Sequence, residues 1–312
     1  MLSRLPGRRP RPADWGLNMT VCVAGIACSG SVIIAVSDRR ITYGDIAADV
    51  ASVEKSCQIH PRWVAMFSGN DIGNVTPIID RVTEKLAPLV TASRVDVARE
   101  FRGAFRAHRR TLIEERVLAS LDMGLQEFRT TGLAQLGKAA FDELRYAAKE
   151  TKVDCEFLVC GFSGDDPQIF AINDTGLSYY ERIGFWSVGS GAYSAISSLA
   201  FQKYHRGLPL QEALYRILEA KFMADTAVPT VGRATYTLVI ERKGVMGRVS
   251  EDGVQQVRKI WEEEEQPRIP PSLDRMPEVT YSIAPSIARC AVGRAGRRDP
   301  VDGGLALISD GL

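Results

Sequence analysis

Apolar residues fall in short blocks near the start of the chain: Val21, Val23 and Ile26, then Val32-Ile33-Ile34-Ala35-Val36, then Trp63-Val64-Ala65-Met66-Phe67. Blocks of this length, rich in β-branched residues, predict strands, with Ser29-Gly30 as a hairpin turn between the first two. After Ser68-Gly69-Asn70-Asp71 the period changes, and Ile78, Ile79, Val82 and Leu86 recur on one helical face, with Pro88 near its end. A helical pattern then runs from Val95 to Lys152; Gly124, Gly132 and Gly137 are expected breaks, so at least two helices are predicted. Strands return at Phe157–Cys160, Ile169–Ile172 and Phe185–Val188. Gly189-Ser190-Gly191 then opens a helix through Tyr204, Pro209 to Asp225 reads as a second, and Thr235 to Glu241 is a last strand. Strands and helices therefore come in blocks rather than in alternation. That order argues against a doubly wound parallel sheet and for an α+β fold of two stacked antiparallel sheets with helices on their outer faces.

The two ends depart from this pattern. Residues 1–19 form an expected leader, disordered or preceding the true start of translation; the first 18 hold four Arg and three Pro and no apolar run long enough for an export signal. From Gln266 onward lie six of the fifteen prolines and a Gly/Arg-rich end, so 266–312 is expected to be a disordered tail. The body between, 20–265, is large enough for one layered domain. Its Glu262–Glu265 run reads as a solvated helix end.

Composition narrows the function. A net charge of +1 leaves no field to hold nucleic acid or an anionic membrane, and no run approaches the length of a membrane span. The six cysteines contain no CxxC pair and there are three histidines, so a zinc cage has little to build from and reduced thiols in a cytoplasm are expected. Cys155 and Cys160, five apart on one predicted strand, should face opposite ways.

Chemistry can be sought at four places. If translation starts at Met19, removal of that methionine would expose Thr20, whose own α-amine, with a reference pKa of about 7.7–8.0, can act as base toward its hydroxyl. An internal Met-Thr has no such use. Asp38 closes the second predicted strand and Lys55 precedes the next, and such a pair, if buried, would support a developing alkoxide; on the surface it would be an ordinary ion pair. Ser68-Gly69, at a strand-to-helix corner, could offer a backbone N–H to an oxyanion, and Gly189-Ser190-Gly191 repeats the design; either could equally be a capped turn.

Taken together, Thr20-Val-Cys-Val, Val32-Ile-Ile-Ala-Val-Ser-Asp38-Arg-Arg, Gly44, Glu54-Lys55, Gln58-Ile-His-Pro61 and Phe67-Ser-Gly69-Asn-Asp71 resemble the N-terminal half of a proteasome β-subunit. Phe157-Leu-Val-Cys-Gly161, Phe185-Trp-Ser-Val-Gly-Ser190-Gly and Pro209-Leu-Gln-Glu-Ala are similar to its second half. The Met-Thr-x-Cys-Val start most resembles the bacterial proteasome-like group called Anbu. The resemblance implies the αββα sandwich of N-terminal-nucleophile hydrolases, assembled as a homo-oligomeric ring or spiral, and a cofactor-free threonine peptidase acting on peptides or unfolded proteins. It makes Thr20 nucleophile and base, Asp38 and Lys55 its electrostatic support, Gly69 the oxyanion donor, and Ser190 the group that orients the amine and a water. Arg40 and Thr42 would lie beside a bound peptide, and Ile41, Val53, Phe67 and Asp71 would line the primary pocket. An ATP-dependent unfoldase is a candidate partner.

Alternatives stay open within that frame. Counting back from Asp38 by the family's usual interval reaches Cys22, so either the first hairpin carries two extra residues or Cys22 is the nucleophile. The Asp-x-x-Ser expected after the last helix is out of place, with Asp225 and Thr230 as substitutes at the wrong spacing. The stretch from Val117 to Gly137 is longer than the family needs. Rival functions are a catalytically silent ring subunit and a non-peptide amide hydrolase of the same fold.

Overall fold

The computed structural model describes residues 20–43, 46–49, 54–69 and 72–265. The expectations for the leader, for the tail, and for Gly44, Val53 and Asp71 lie outside these residues.

The first half of the chain supplies strands β1 (Cys22–Ala27), β2 (Val32–Asp38), β3 (Arg40–Tyr43), β4 (Ile46–Asp49), β5 (Ser56–His60) and β6 (Trp63–Gly69). Helices α1 (Ile72–Leu86), α2 (Arg94–Ile113) and α3 (Leu125–Glu150) follow. The second half gives β7 (Cys155–Ser163), β8 (Asp166–Asn173), β9 (Gly176–Tyr179) and β10 (Phe185–Val188), then α4 (Ala192–Phe201) and α5 (Leu210–Ala227). It closes with β11 (Thr235–Glu241), β12 (Met246–Arg248) and α6 (Glu251–Ile260).

The strands form two five-stranded antiparallel sheets, ordered β10-β1-β2-β11-β12 and β5-β6-β7-β8-β9, with β3 and β4 as a separate pair. Period-2 alternation divides each strand between two cores. Along β1, Cys22, Ala24 and Ile26 face the other sheet, where they meet Val64 and Met66 of β6 and Leu158 and Cys160 of β7. Val21 and Val23 face the opposite way, onto α4, α5 and α6. Trp63, Ala65 and Phe67 of β6 lie with α1 and α2. The result is the expected four-layer αββα sandwich. Cys155 lies in the helix-side core and Cys160 in the inter-sheet core, so the two thiols do face opposite ways.

Several details differ from the sequence reading. Two of the three breaks expected in the long helical stretch are present, at Gly124, which caps α3 after the turn at Asp122, and at Gly137, which kinks that helix with φ of 74°, whereas Gly132 stays inside α3, buried. Val117 and Leu118, Met123, Leu125 and Phe128 of this stretch form a small core of their own, with Phe128 stacked on Phe141. α4 stops at Phe201, short of Tyr204, because Lys203 turns the chain with φ of 55°. Tyr204 then points inward and its hydroxyl donates to the Ile26 carbonyl at 3.1 Å. α6 ends the body on Trp261, which is buried against Phe222, while Glu262 to Glu264 are exposed as expected of a solvated end. Among the described residues, no helix is long and apolar enough to cross a membrane.

Candidate active site

Thr20 leads into β1 on the same face as Cys22 and so sits at the rim of the space between the two sheets, buried to 3% exposure. The neighbouring strand brings Asp38 beside it: Val21 N–H donates to Asp38 Oδ1 at 3.2 Å, and Asp38 N–H donates back to the Val21 carbonyl at 3.2 Å. The opposite sheet brings Lys55, whose carbonyl accepts from Phe67 N–H at 3.1 Å and so fixes the residue at the entrance to β5. The Lys55 ammonium bridges the two sheets. It donates to Thr20 Oγ1 and lies 3.1 and 3.3 Å from the two carboxylate oxygens of Asp38.

Asp38 is fully buried and Lys55 is 4% exposed. Ions so far from water are tolerated when their remaining hydrogen-bonding capacity is met. Asp38 satisfies this with backbone N–H donors from Val21, from Arg40 at 3.2 Å and from Gly232 at 3.0 Å, in addition to Lys55. The carboxylate is thereby fixed in one rotamer, and the ammonium is aimed at the threonine hydroxyl.

Ser190 approaches from the turn after β10. Gly189 holds φ of 94°, and a Cβ there would stand 2.2 Å from the Thr20 carbonyl oxygen, so the close approach of this turn requires glycine. Gly191 N–H donates to the same carbonyl at 3.3 Å. Ser190 Oγ lies 3.3 Å from the Thr20 nitrogen and 3.3 Å from Thr230 Oγ1.

The structure thus brings Thr20, Asp38, Lys55 and Ser190 together. Gly69 ends β6 on the same sheet as Lys55, and a Cβ there would come within 2.9 Å of Cys155 Cβ and 3.0 Å of the Asp154 carbonyl. Arg40 turns its guanidinium to the carbonyl of Pro229 at 2.7 Å. Ile41 and Thr42 lie in β3, paired with Ala48 and Ala47. Phe67 is buried on the helix side of β6, its ring 6.5 Å from that of Phe157, away from the face that carries Met66 and Ser68.

The structure also separates the two candidate nucleophiles. The first hairpin pairs Ala27 with Val32, so four residues, 28–31, make its connection. Cys22 lies deeper in the inter-sheet core, with its thiol donating to the Phe67 carbonyl at 3.4 Å. Burial, with the Asp38 carboxylate adding to it, pushes that thiol far above its ordinary pKa, which disfavours the thiolate a cysteine nucleophile needs.

Sequence reasoning gives three features around the site no role, and names only Thr230 and Asp225 among them, as substitutes at the wrong spacing. Glu156 of β7 stands opposite Ser68 in the sheet register and accepts from Asn173 at 3.2 Å; burial pushes its carboxyl pKa up, although its bonds to Asn173 and to Gly189 N–H oppose the shift. Thr230 reaches Ser190 from the loop between α5 and β11. Behind that loop, Lys221, Asp225 and Arg258 make a buried ionic cluster, and burial pulls the Lys221 ammonium down to about 8 against the pull of Asp225. The one local signal is the Lys221–Asp225 pair, four residues apart on α5. Among the described residues, no group of three or more His, Cys, Asp or Glu could hold a metal ion.

No known protein-family profile and no curated protein match the chain in sequence. In three dimensions it is similar to a solved structure titled Anbu (ancestral beta-subunit) from Yersinia bercovieri, with a TM-score of 0.56 at 14% identity. The match covers 84% of this chain and all of the other. The chain has a proteasome-like fold. The expected architecture is therefore present, and at this identity the likeness concerns the fold alone.

Proposed function

We propose that the chain is a threonine-type peptidase subunit of a proteasome-like homo-oligomeric ring or spiral. One observation carries this reading: a buried ammonium, Lys55, bridges the Thr20 hydroxyl and the Asp38 carboxylate while the Thr20 nitrogen rests beside Ser190 Oγ. A structural ion pair has no need of a threonine at the head of a strand.

The chemistry requires Thr20 to carry a free α-amine. Thr20 Oγ1 attacks the peptide carbonyl carbon, and its proton passes to that amine, whose ordinary pKa near about 7.7–8.0 leaves it basic enough at neutral pH. Lys55 lowers the cost of the alkoxide, and the Gly69 N–H receives the oxyanion. Collapse breaks the C–N bond, the ammonium returns its proton to the leaving amine, and an ester to Thr20 remains. Water then attacks the ester with the amine as base, releasing the acid and restoring the hydroxyl. The substrate chain would run as an added strand beside Arg40 and Thr42, with Ile41 at its primary pocket; Phe67, packed on the helix side of β6, takes no part in that pocket.

The test combines N-terminal sequencing of protein from its native host with a peptide epoxyketone, which forms its double adduct with the hydroxyl and amine of one residue. A chain beginning at Thr20 that acquires this adduct is the expected result. A mature chain that retains the arginine-bearing leader, or a chain beginning at Thr20 that takes no label, would overturn the peptidase reading and leave a silent subunit of the same fold.

A further inference from the structure

The loop between α5 and β11 touches the candidate site twice. Gly232 N–H donates to Asp38 Oδ2 at 3.0 Å, and Thr230 Oγ1 lies 3.3 Å from Ser190 Oγ. What holds the loop in that pose lies on its other side. Lys221, one helical turn before Asp225 on α5, is fully buried. Its ammonium donates to Asp225 Oδ2 at 2.7 Å, to the Gly232 carbonyl at 2.7 Å and to the Arg233 carbonyl at 2.8 Å. An ammonium has three N–H groups, and these three acceptors use them all. Arg258 of α6 clamps the same carboxylate at 2.6 and 3.3 Å, reaches the Arg233 carbonyl at 3.3 Å and lies over the Phe222 ring at 4.0 Å.

We propose that Lys221, Asp225 and Arg258 are positioning residues, which grip the carbonyl side of the 228–234 loop so that its other side fixes Asp38 and Ser190 around Thr20. The proposal rests on the reading of Thr20 as nucleophile. Gly232 is the hinge of the argument, since its carbonyl faces Lys221 while its N–H faces Asp38, so one residue transmits the position of the cluster to the carboxylate. The loop contains neither helix nor strand; its ends are tied by Val228 N–H to the Ala224 carbonyl at 3.0 Å and by Arg39 N–H to the Ala234 carbonyl at 3.2 Å, and Val231 N–H donates to the Val228 carbonyl within it, so the cluster grips its middle, around Gly232 and Arg233. On the solvent side Arg40 donates to the Pro229 carbonyl at 2.7 Å. If the cluster lets go, Asp38 Oδ2 loses its Gly232 donor, the carboxylate gains freedom to turn away from Lys55, and Ser190 loses its contact with Thr230. The expected consequence is slower chemistry with substrate binding unchanged, because none of the three residues faces the cleft.

The test uses the full-length oligomer with two readouts, saturation kinetics of labelling by a peptide epoxyketone and hydrogen exchange of the 228–234 segment. In Lys221→Met, kinact is expected to fall at least tenfold with KI within twofold of wild type, and exchange across 228–234 to rise at least tenfold while β1 and β2 keep their protection. Asp225→Asn, closer in shape, carries the same expectation and decides the matter if Lys221→Met does not fold. A folded variant with wild-type kinact, or one whose kinact falls without any change in loop exchange, would overturn the proposal. A wild-type chain beginning at Thr20 that takes no label instead overturns the peptidase reading; exchange then stands alone, and an unaltered loop in both variants would show that the cluster does not hold it.

Discussion

Lys55 and Asp38 share one buried environment, and their contributions to stability and to chemistry can be separated by removing one group at a time. Lys55→Ala leaves a fully buried carboxylate without its cation, a change that typically costs roughly 3–5 kcal/mol. Thr20→Ala removes a hydrogen bond to a charged group, worth about 1.5–3 kcal/mol, and leaves the ion pair in place. Both variants are expected to lose epoxyketone labelling, with the larger fall in denaturation midpoint for Lys55→Ala; equal midpoints would mean that the pair does not stabilise the fold. Cys22→Ala tests the rival nucleophile, and labelling within twofold of wild type is expected. Glu156 offers a pH test. An unfolded glutamate titrates near about 4.3, and burial raises this carboxyl in the fold, so between those values the folded chain holds more protons than the unfolded one. Stability therefore falls as pH rises through that window. Glu156→Gln keeps one acceptor oxygen and removes the titration; it is expected to melt above wild type at neutral pH, the difference shrinking below about pH 4. An unchanged difference at both pH values would rule this out. Thr20, Asp38, Lys55 and Ser190 are singled out by the resemblance, since each stands at a strand end or glycine turn that by itself leaves a structural role equally open. Glu156 and Arg258 could not be read from the sequence, because their partners Asn173 and Asp225 are 17 and 33 residues away; Thr230 and Asp225 could be named but not placed, since Thr230 meets Ser190 from 40 residues away.

The elements that could be read in advance are those with a strong period or a run of β-branched residues. β1, β2, β6, β7, β8, β10 and β11 are of this kind, and so are α1 and α5. β3 and β4, β9, β12 and α6 escaped, since β9 and β12 are 4 and 3 residues long and α6 is flanked by charged residues that read as a solvated end. α2 begins sharply because Ser93 and Asp96 form a reciprocal cap, with Asp96 N–H donating to Ser93 Oγ at 3.2 Å and Ser93 N–H to Asp96 Oδ2 at 3.1 Å. The β10–α4 turn is where an element boundary and the site coincide. Gly189→Ala would force a methyl group to within 2.2 Å of the Thr20 carbonyl oxygen, at a backbone φ of 94° that alanine rarely adopts. The clash is with backbone, so no side chain can move to relieve it. The turn is expected to withdraw, carrying Ser190 from the Thr20 nitrogen, with a loss of about 1–3 kcal/mol in stability and at least a hundredfold in labelling rate. Gly137→Ala is the control, because its φ of 74° carries the same kind of backbone strain but nothing lies within 4 Å of its Cβ position. It should lose stability and keep labelling; a Gly189→Ala enzyme that behaves like Gly137→Ala would show that the turn does not position the site.

At the scale of the whole molecule, the layered order matters because the site belongs to no single layer. Thr20 and Asp38 come from one sheet, Lys55 from the other, and Lys221 and Arg258 from the helices behind the first. The sandwich could be inferred from block order, since strands that come before and after a block of helices cannot be joined by short parallel crossovers. The contribution of α6 could not, because its packing depends on Phe222 and Trp261, which lie on different helical segments and show no shared pattern. Trp261 is buried to 2% exposure with its ring 5.6 Å from that of Phe222, whose ring also carries the Arg258 guanidinium. Trp261→Ala should therefore cost about 3–5 kcal/mol by opening a cavity under α6, read as a lower denaturation midpoint. Its effect on labelling depends on how far the loss travels. If the outer helix holds Arg258 in place, kinact falls together with stability even at temperatures where the variant is fully folded, whereas Phe105→Ala, in the core on the far side of the other sheet, lowers stability alone. Equal kinact for the two folded variants would confine the influence of α6 to the general stability of the layer it covers.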